Sequence, residues 1–394
     1  MHTWPPHIPG LGDAVKKYID DGNSLSIRDR SGVIKELEDR FAALHGRKYA
    51  LTVSSGTMAL CSAFFAIDPK PGDEIICTAF SFHATASSAR LWGLNVVFCD
   101  VEPDTGNIDA SKLEALITPR TRAVISNDMW GHPCDKDAIL AICRKHGLLY
   151  IEDCSHAHFS EYNGKYSGTF GDLACWSFQS LKFLSGGEGG ILLTDNFAFY
   201  ERAVMLGHYS WRALKTAATP GYVDLGASGF GLKLRMHPLA AVMVLYQLEN
   251  CARDWLKSRH ETLAYFERRL SQSTPLLPMA RRPYVTSMGA WFGFYPRCDS
   301  SGGKGLRDAL MGFLQAKGLV AKKPPHLILP YMRLFHTRSF GAGALPSDPR
   351  PPRFPQAEAY DDSIIGFPTF TFHEYKAINT YTGQIASFFS GKRG

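Results

Sequence analysis

The chain has 394 residues, of which 45% are apolar and 20% charged, and its formal net charge is +6. This composition is typical of a globular protein and excludes a disordered, fibrous or coiled-coil chain. Basic and acidic residues are interleaved, so no nucleic-acid partner is expected, and no apolar run is long enough to span a membrane. The first residues do not have the pattern of a signal peptide, and we expect a cytoplasmic protein.

The nine cysteines stand singly in mostly apolar segments, without a Cys-x-x-Cys pair. An odd number and the lack of pairs favour reduced, mostly buried thiols over disulfides or a zinc site. Cys154 follows an acidic residue at a predicted strand end. It has neither a helix start nor a basic neighbour to lower its pKa, so we do not expect it to be a nucleophile.

The first predicted element with a clear period is an amphipathic helix, for which Ser31 is the candidate N-cap and Gly46 the stop. From about residue 48 to residue 200, short apolar runs then alternate with helix-period stretches such as Asp135–His146, which Gly147 closes. This alternation predicts an α/β fold with a mostly parallel sheet. The predicted strands are Tyr49–Val53, Glu74–Cys77, Val96–Asp100, Ala123–Ser126, Leu148–Ile151, Ala174–Phe178 and Ile191–Thr194.

The pattern changes after about residue 250. Arg253–Leu270 predicts one long helix, and short strand-like pieces and a Gly/Pro-rich loop at 341–355 follow it. We therefore predict an N-terminal segment (1–30), a large α/β domain (31–250) and a smaller α+β domain (251–394).

Ser54-Ser55-Gly56-Thr57 follows a predicted strand and opens a predicted helix. Free backbone N–H groups at a helix start form a site for an anion such as a phosphate. An ordinary helix cap without a ligand is the commoner outcome of such a sequence.

Asp153 is predicted at the carboxyl end of a buried strand, where open α/β sheets hold their ligands. It could meet a ligand cation, bind a metal or cap the next turn. His156 and His158 would lie on opposite faces of an extended segment, so we expect no shared metal ion.

Lys182 lies between Phe178, Leu181 and Phe183 and a Gly-rich turn. An isolated lysine is usually solvated. Apolar neighbours here indicate a partly desolvated amine, and desolvation lowers a lysine pKa and makes the amine a nucleophile for carbonyls. An anion cradle, a strand-end carboxylate and a reactive lysine together are what pyridoxal 5'-phosphate requires, so we predict that cofactor.

With these motifs, the chain resembles the DegT/StrS-type sugar aminotransferases over nearly its whole length. The resemblance implies the type I fold of pyridoxal-phosphate-dependent transferases, which is that of aspartate aminotransferase. It also implies a homodimer with active sites at the interface. Trp4-Pro5 and residues 22–26 look most like members that act on aminocyclitol precursors. Further matching segments are Gly72-Asp73-Glu74-Ile75, Gly131-His132-Pro133, and residues 78–85, 168–172 and 231–248.

The resemblance also implies roles for individual residues. Lys182 forms the imine with the cofactor and moves the proton, and Asp153 pairs with the pyridinium nitrogen. Gly56, Thr57 and Ser177 bind the phosphate. Phe82 stacks on the ring and His156 lies near the ring hydroxyl. Without the resemblance, Phe82 would be a core aromatic and His156 a hydrogen-bonded interior histidine.

One departure from the family pattern concerns the contact between subunits. The family commonly has an asparagine that reaches the phosphate of the neighbouring subunit, and Lys233 stands there in this chain. Lys233 could meet the phosphate as a point charge. The preceding basic loop, with His208, Arg212 and Lys215, could hold acidic substrate groups or could be a solvated surface loop.

The sequence therefore predicts an aminotransferase that moves an amino group from glutamate or glutamine to a keto-sugar or keto-cyclitol, in antibiotic, other secondary-metabolite or envelope-sugar biosynthesis. A dehydratase or lyase of the same fold and a non-catalytic pyridoxal-phosphate-binding regulator are the alternatives. Family members that dehydrate sugars typically replace the lysine by histidine, so Lys182 favours transamination.

Overall fold

The computed structural model describes residues 4–299, 303–336 and 352–391. Its central element is a seven-stranded sheet. The apolar runs form its strands because they are covered on both faces. The strands are β1 (Tyr49–Val53), β2 (Glu74–Thr78), β4 (Asn95–Cys99), β5 (Thr121–Asn127), β6 (Leu149–Asp153), β9 (Leu173–Ser177) and β10 (Gly190–Thr194). Their order across the sheet is β1-β10-β9-β6-β5-β2-β4.

Neighbouring strands of this sheet are parallel, except that β10 runs antiparallel to both β1 and β9. Residues 178–189 join β9 to β10 without a helix. A parallel neighbour needs a crossover connection, usually helical, so this short connection leaves the antiparallel arrangement. The predicted mostly parallel α/β sheet is confirmed.

Helices cover both faces of the sheet because successive side chains of a strand point to opposite sides. The helices as far as residue 250 are α1 (Leu11–Asp20), α2 (Gly32–Leu44), α3 (Gly56–Ala66), α4 (Ala84–Arg90), α5 (Lys136–His146), α6 (Phe197–Gly207), α7 (Trp211–Thr216), α8 (Pro220–Val223) and α9 (Pro238–Asn250). Leu51 and Val53 of β1 belong to the core that packs on α3 and α6, whereas Ala50 belongs to the core on α2 and α9. Gly147 ends α5 in the left-handed conformation, as predicted, and Asp135 is its N-cap and not its first residue.

The remainder of the chain packs around Phe266, Phe294 and Tyr381, in a core that it shares with Phe80 and Trp130 of the preceding part. Its helices are α10 (Ala252–Ser273), α11 (Gly303–Ala316), α12 (Pro355–Ser363) and α13 (Tyr375–Gly391). The predicted long helix is α10. The predicted loop 341–355 lies outside the described residues, apart from residues 352–354 and the first residue of α12.

Two short strands of this part join it to the sheet domain. β11 (Val285–Met288) pairs with β7 (Ser160–Tyr162), which also pairs with β8 (Lys165–Tyr166), and β12 (Leu327–Ile328) pairs with β3 (Phe80–Ser81). Helix α1 lies on α9. The division into segments 1–30, 31–250 and 251–394 stays a prediction.

Candidate active site

Asp153 is the last residue of β6 and is 4% exposed. Its carboxylate accepts hydrogen bonds from the Thr85 hydroxyl at 2.7 Å and from the Ser155 backbone N–H at 3.1 Å. Thr85 comes from α4, and its hydroxyl is 2.9 Å from that of Ser81. Because parallel strands end at one edge of the sheet, Asp153 lies at the same edge as the ends of β1 and β9.

Gly56 and Ser177 meet at this edge. Gly56 begins α3, and a Cβ atom on it would lie 2.6 Å from the Ser177 Cβ, so no larger residue fits this approach. Ser55 caps the helix by accepting from the Met58 N–H. The N–H groups of Gly56 and Thr57 are in the first turn and have no partner within the helix, which leaves them available to an anion.

Lys182 lies in the β9–β10 connection and is partly buried. Its Nζ atom is 3.9 Å from the centroid of the Phe292 ring. Burial lowers the pKa of Lys182 to about 7, although the negative charge of Asp153 opposes this shift. A lysine with such a pKa is about half in its neutral, nucleophilic form near pH 7.

His156 is buried between aromatic rings. Its ring is stacked on Phe292, with centroids 3.8 Å apart, and on Trp130, with centroids 5.7 Å apart. Its Nδ1 atom has no hydrogen-bond partner among the described residues. Burial and the charge of Lys182 hold the pKa of His156 well below its usual range, so the ring is neutral. An unpartnered buried nitrogen indicates a place for a polar group of a ligand.

Phe82 is 50% exposed and packs beside His83, with ring centroids 4.3 Å apart. The alternative that Phe82 is a core aromatic is therefore wrong. An aromatic ring exposed next to the sheet edge is available to a planar ligand.

Sequence reasoning missed three residues of the site: Thr85, Phe292 and His326. The Thr85 contact with Asp153 spans 68 residues, and no local pattern indicates it. His326 lies edge-on to His156, with ring centroids 4.9 Å apart, and burial and the charge of Lys182 lower its pKa to about 3. Its position next to β12 gives it no periodic signal in the sequence.

The carboxylates of Asp128 and Glu152 and the Cys154 thiol lie close enough together to hold a metal ion. The ammonium group of Lys136 already meets both carboxylates, at 2.6 and 3.0 Å. Burial acts to lower the pKa of Lys136, but Asp128 and Glu152 help to raise it well above the usual lysine range. Burial also raises the Cys154 pKa, which agrees with the expectation that this thiol is not a nucleophile.

The structure corrects both interpretations of the basic loop for Arg212 and agrees with a solvated position for Lys215. Arg212 lies in α7 and is buried, and its two terminal nitrogens each lie 2.9 Å from a Glu38 carboxylate oxygen. Its guanidinium is thus committed to a structural ion pair and is neither solvated nor available to a substrate. Lys215 forms an exposed ion pair with Asp29, which agrees with a solvated position. His208 is buried and forms a backbone bridge with Lys233, whose side chain is exposed.

A mostly parallel sheet that brings an anion cradle, a strand-end aspartate and a desolvated lysine to one edge is the architecture of the pyridoxal-phosphate-dependent aminotransferases. The X-ray structure of the aminotransferase from Psychrobacter cryohalolentis is similar to this chain with a TM-score of 0.84, at 26% identity, over 99% of each chain.

The family model of the DegT/DnrJ/EryC1/StrS aminotransferases matches residues 23–380. The protein belongs to this family.

Two curated relatives are similar over most of their lengths. The spore coat polysaccharide biosynthesis protein SpsC of Bacillus subtilis is 30% identical, over 94% of this chain and 92% of its own. The second is a putative L-glutamine:3-amino-2,3-dideoxy-scyllo-inosose aminotransferase of Micromonospora echinospora. It is 33% identical, over 80% of this chain and 75% of its own. No helix in the described part of the chain has the length and apolar character of a membrane span.

Proposed function

We propose that the protein is a pyridoxal-phosphate-dependent enzyme that transfers an amino group from glutamate or glutamine to a keto-sugar or keto-cyclitol. The observation that carries this proposal is the partly buried Lys182, whose pKa burial lowers to about 7, in a site shared with Asp153 and the unpartnered Nδ1 of His156. A reactive amine, a carboxylate and a free hydrogen-bonding nitrogen match the aldehyde, the pyridine nitrogen and the ring hydroxyl of the cofactor.

The remaining site residues fit the other parts of the cofactor. Gly56, Thr57 and Ser177 form the phosphate cradle, and Phe82 offers an exposed face to the ring. Bound pyridoxal phosphate supplies an electron sink for the bond that breaks at the amino-acid carbon. Asp153 holds the pyridine nitrogen in its protonated form, because a neighbouring carboxylate favours the cation.

Lys182 has two tasks in this proposal. Its neutral amine would hold the cofactor through the aldehyde group. Once an amino donor has taken that place, the free Nζ would move the proton that leaves the donor's α-carbon, and it would move a proton in the opposite direction when the keto acceptor is aminated. Phe292 and the neutral rings of His156 and His326 surround Lys182 without competing for its proton.

The acceptor class is inferred from the relatives. One is named for polysaccharide biosynthesis and another for a scyllo-inosose acceptor, which supports a keto-sugar or keto-cyclitol here. We propose that the enzyme acts in the cytoplasm, in the biosynthesis of antibiotics, other secondary metabolites or envelope sugars. We also propose a homodimer in which the exposed Lys233 of one subunit reaches the phosphate held by the other, as a point charge in place of the usual asparagine.

The test of the cofactor site is borohydride reduction of the protein loaded with pyridoxal phosphate, followed by peptide mass spectrometry. A pyridoxyl group on Lys182 is expected. Lys182→Ala is expected to remain folded and to lose both the adduct and turnover. Absence of the adduct from Lys182 of the wild-type protein contradicts the proposal.

The reaction is tested by mass spectrometry of products from glutamate or glutamine with a panel of keto-sugars and keto-cyclitols. An aminated acceptor together with the 2-oxo acid of the donor supports transamination. Loss of water alone selects a dehydratase or lyase. Cofactor binding without any product selects a regulatory protein.

A further inference from the structure

The N-terminal segment reaches the loop of Lys182 through the side chain of Trp4. The indole Nε1–H donates a hydrogen bond to the Leu181 carbonyl oxygen at 3.1 Å. The indole ring is stacked on Phe183, with ring centroids 5.6 Å apart and planes 9° apart. Leu181 and Phe183 flank Lys182 in the chain. One side chain therefore contacts the residues immediately before and after the lysine.

Arg259 of α10 contacts the same aromatic pair. Its guanidinium carbon lies 3.9 Å from the centroid of the Trp4 ring and 5.0 Å from that of Phe183. Nη1 donates a hydrogen bond to the Ala290 carbonyl at 2.6 Å. Ala290 is two residues before Phe292, the ring against which the Lys182 amine lies. Arg259 thus connects Phe183, the residue after Lys182, with the segment that carries Phe292.

The electrostatic setting of Arg259 is costly. The side chain is 3% exposed, and in the described ranges its nitrogens meet only neutral oxygens, the Thr371 hydroxyl at 2.9 Å from Nε and the Ala290 carbonyl. Its Nη2 atom has no hydrogen-bond partner in the same ranges. Burial lowers the pKa of Arg259 to about 9, and only the more distant Glu374 opposes this shift. A buried cation without a carboxylate destabilises a fold, and contact with two aromatic faces offsets part of that cost.

We propose that Trp4 and Arg259 form a clamp that positions Lys182, so that the N-terminal segment is part of the active-site machinery. Both are positioning residues that act through Leu181, Phe183 and Ala290. The inference rests on the proposed function only for the chemical role of Lys182. The contacts that form the clamp are independent of any cofactor.

The clamp predicts a measurable property of the lysine. Asp153, His156, His158 and His326 are the titratable groups that interact with Lys182, and the clamp contains none of them. Releasing Trp4 leaves these groups in place but frees the backbone on both sides of Lys182. The amine then gains access to water, and desolvation, the main cause of its lowered pKa, is relieved.

The test is competitive acetylation of the cofactor-free protein with trace acetic anhydride across pH, with acetylation of Lys182 quantified by peptide mass spectrometry. In the Trp4→Ala variant, the midpoint of Lys182 labelling is expected to rise by about one pH unit or more, which is about a fivefold or larger loss of neutral amine at pH 7. Trp4→Phe keeps a ring but loses the N–H donor, and a smaller rise is expected.

The matched control is Tyr246→Phe. The Tyr246 hydroxyl donates to the Pro9 carbonyl at 2.7 Å, so this variant loosens the same N-terminal segment without touching the lysine loop. Its labelling midpoint is expected to stay at the wild-type value. An unchanged midpoint in Trp4→Ala, or an equal rise in Tyr246→Phe, overturns the clamp. If Trp4→Ala does not fold, an unchanged midpoint in Trp4→Phe overturns it and a rise supports it.

The outcome is separable from that of the proposed function. Acetylation is measured without cofactor, whereas the cofactor site is tested by borohydride reduction of the loaded wild-type protein. Either result can fail while the other holds.

Discussion

The Lys182 amine lies against the face of Phe292, with Nζ 3.9 Å from the ring centroid. The amine is withdrawn from water by this ring and its other neighbours, and burial lowers its pKa to about 7. Asp153 limits the shift because its negative charge favours the ammonium form. The site therefore presents a lysine that is half neutral near physiological pH.

This pKa predicts how cofactor-free protein captures pyridoxal phosphate. Only the neutral amine reacts, so the rate of capture is expected to rise about tenfold per pH unit below pH 7 and to level off above it. Stopped-flow absorbance across pH measures this rate. The control is the free amino acid lysine with its α-amino group blocked, so that only its side-chain amine reacts. A rate that still rises above about pH 9, as for the free lysine, would contradict the lowered pKa.

Asp153→Asn removes a charge while keeping the size of the side chain. Turnover is expected to fall by about 100-fold or more, because an amide does not favour a protonated pyridine. The melting temperature is expected to change little. Thr85→Val, which removes one hydrogen bond to Asp153, serves as the milder variant and is expected to cost about tenfold. A rate for Asp153→Asn within twofold of wild type removes Asp153 from the site.

Phe82→Ala tests an aromatic ring that is half exposed. Its loss is expected to leave stability within about 0.5 kcal/mol of wild type, as for other surface positions. The affinity for pyridoxal phosphate is expected to fall about tenfold, because the stacking face is lost. Leu91→Ala is the control, since Leu91 is comparably exposed. Equal affinities of the two variants would show that Phe82 does not contact the cofactor.

Arg212→Met tests the corrected role of the basic loop. It leaves the Glu38 carboxylate buried without its two-point partner, and a loss of about 3–5 kcal/mol in the free energy of unfolding is expected. The double variant Arg212→Met with Glu38→Gln is expected to regain part of the lost free energy of unfolding, because no unpaired carboxylate remains buried. Lys215→Met, which breaks an exposed ion pair, is expected to lower the free energy of unfolding by less than about 1 kcal/mol. Denaturant unfolding measures all three. Normal stability with weakened substrate binding in Arg212→Met would restore a substrate role.

Buried histidines predict acid sensitivity. Burial lowers the pKa of His45 and His132 to about 4 and that of His158 and His326 to about 3, against about 6.5 when unfolded. Below pH 6.5 these histidines bind protons in the unfolded chain but stay neutral in the folded chain. Folding stability therefore falls as the pH falls from about 6.5 toward about 4. Each such histidine contributes up to about 1.4 kcal/mol per pH unit.

The measurement for this prediction is denaturant unfolding of the cofactor-free protein between pH 7 and pH 5. His326→Gln is expected to reduce the slope of stability against pH, because it removes one of the groups that take up a proton on unfolding. Stability that is constant over this range would show that the buried rings do not resist protonation.

Much of the fold follows from local patterns. The seven strands of the central sheet are predicted within two residues, because mostly apolar runs of about five residues suit a sheet covered on both faces. Asp153, Lys182 and the Gly56 turn were singled out because each stands where a strand ends and the chain turns, which is a property of neighbouring residues. The direction of β10 was not predicted, since apolar runs look alike in either direction.

The sequence by itself determined the alternation of strands and helices and the three motifs that indicate the cofactor, because burial period and turn chemistry are local. Only the tertiary structure decided which polar groups meet. Arg212 pairs with Glu38 across 174 residues, Thr85 with Asp153 across 68, and Trp4 with Leu181 across 177. Contacts at such separations depend on strand order and helix packing, which no window of the sequence contains.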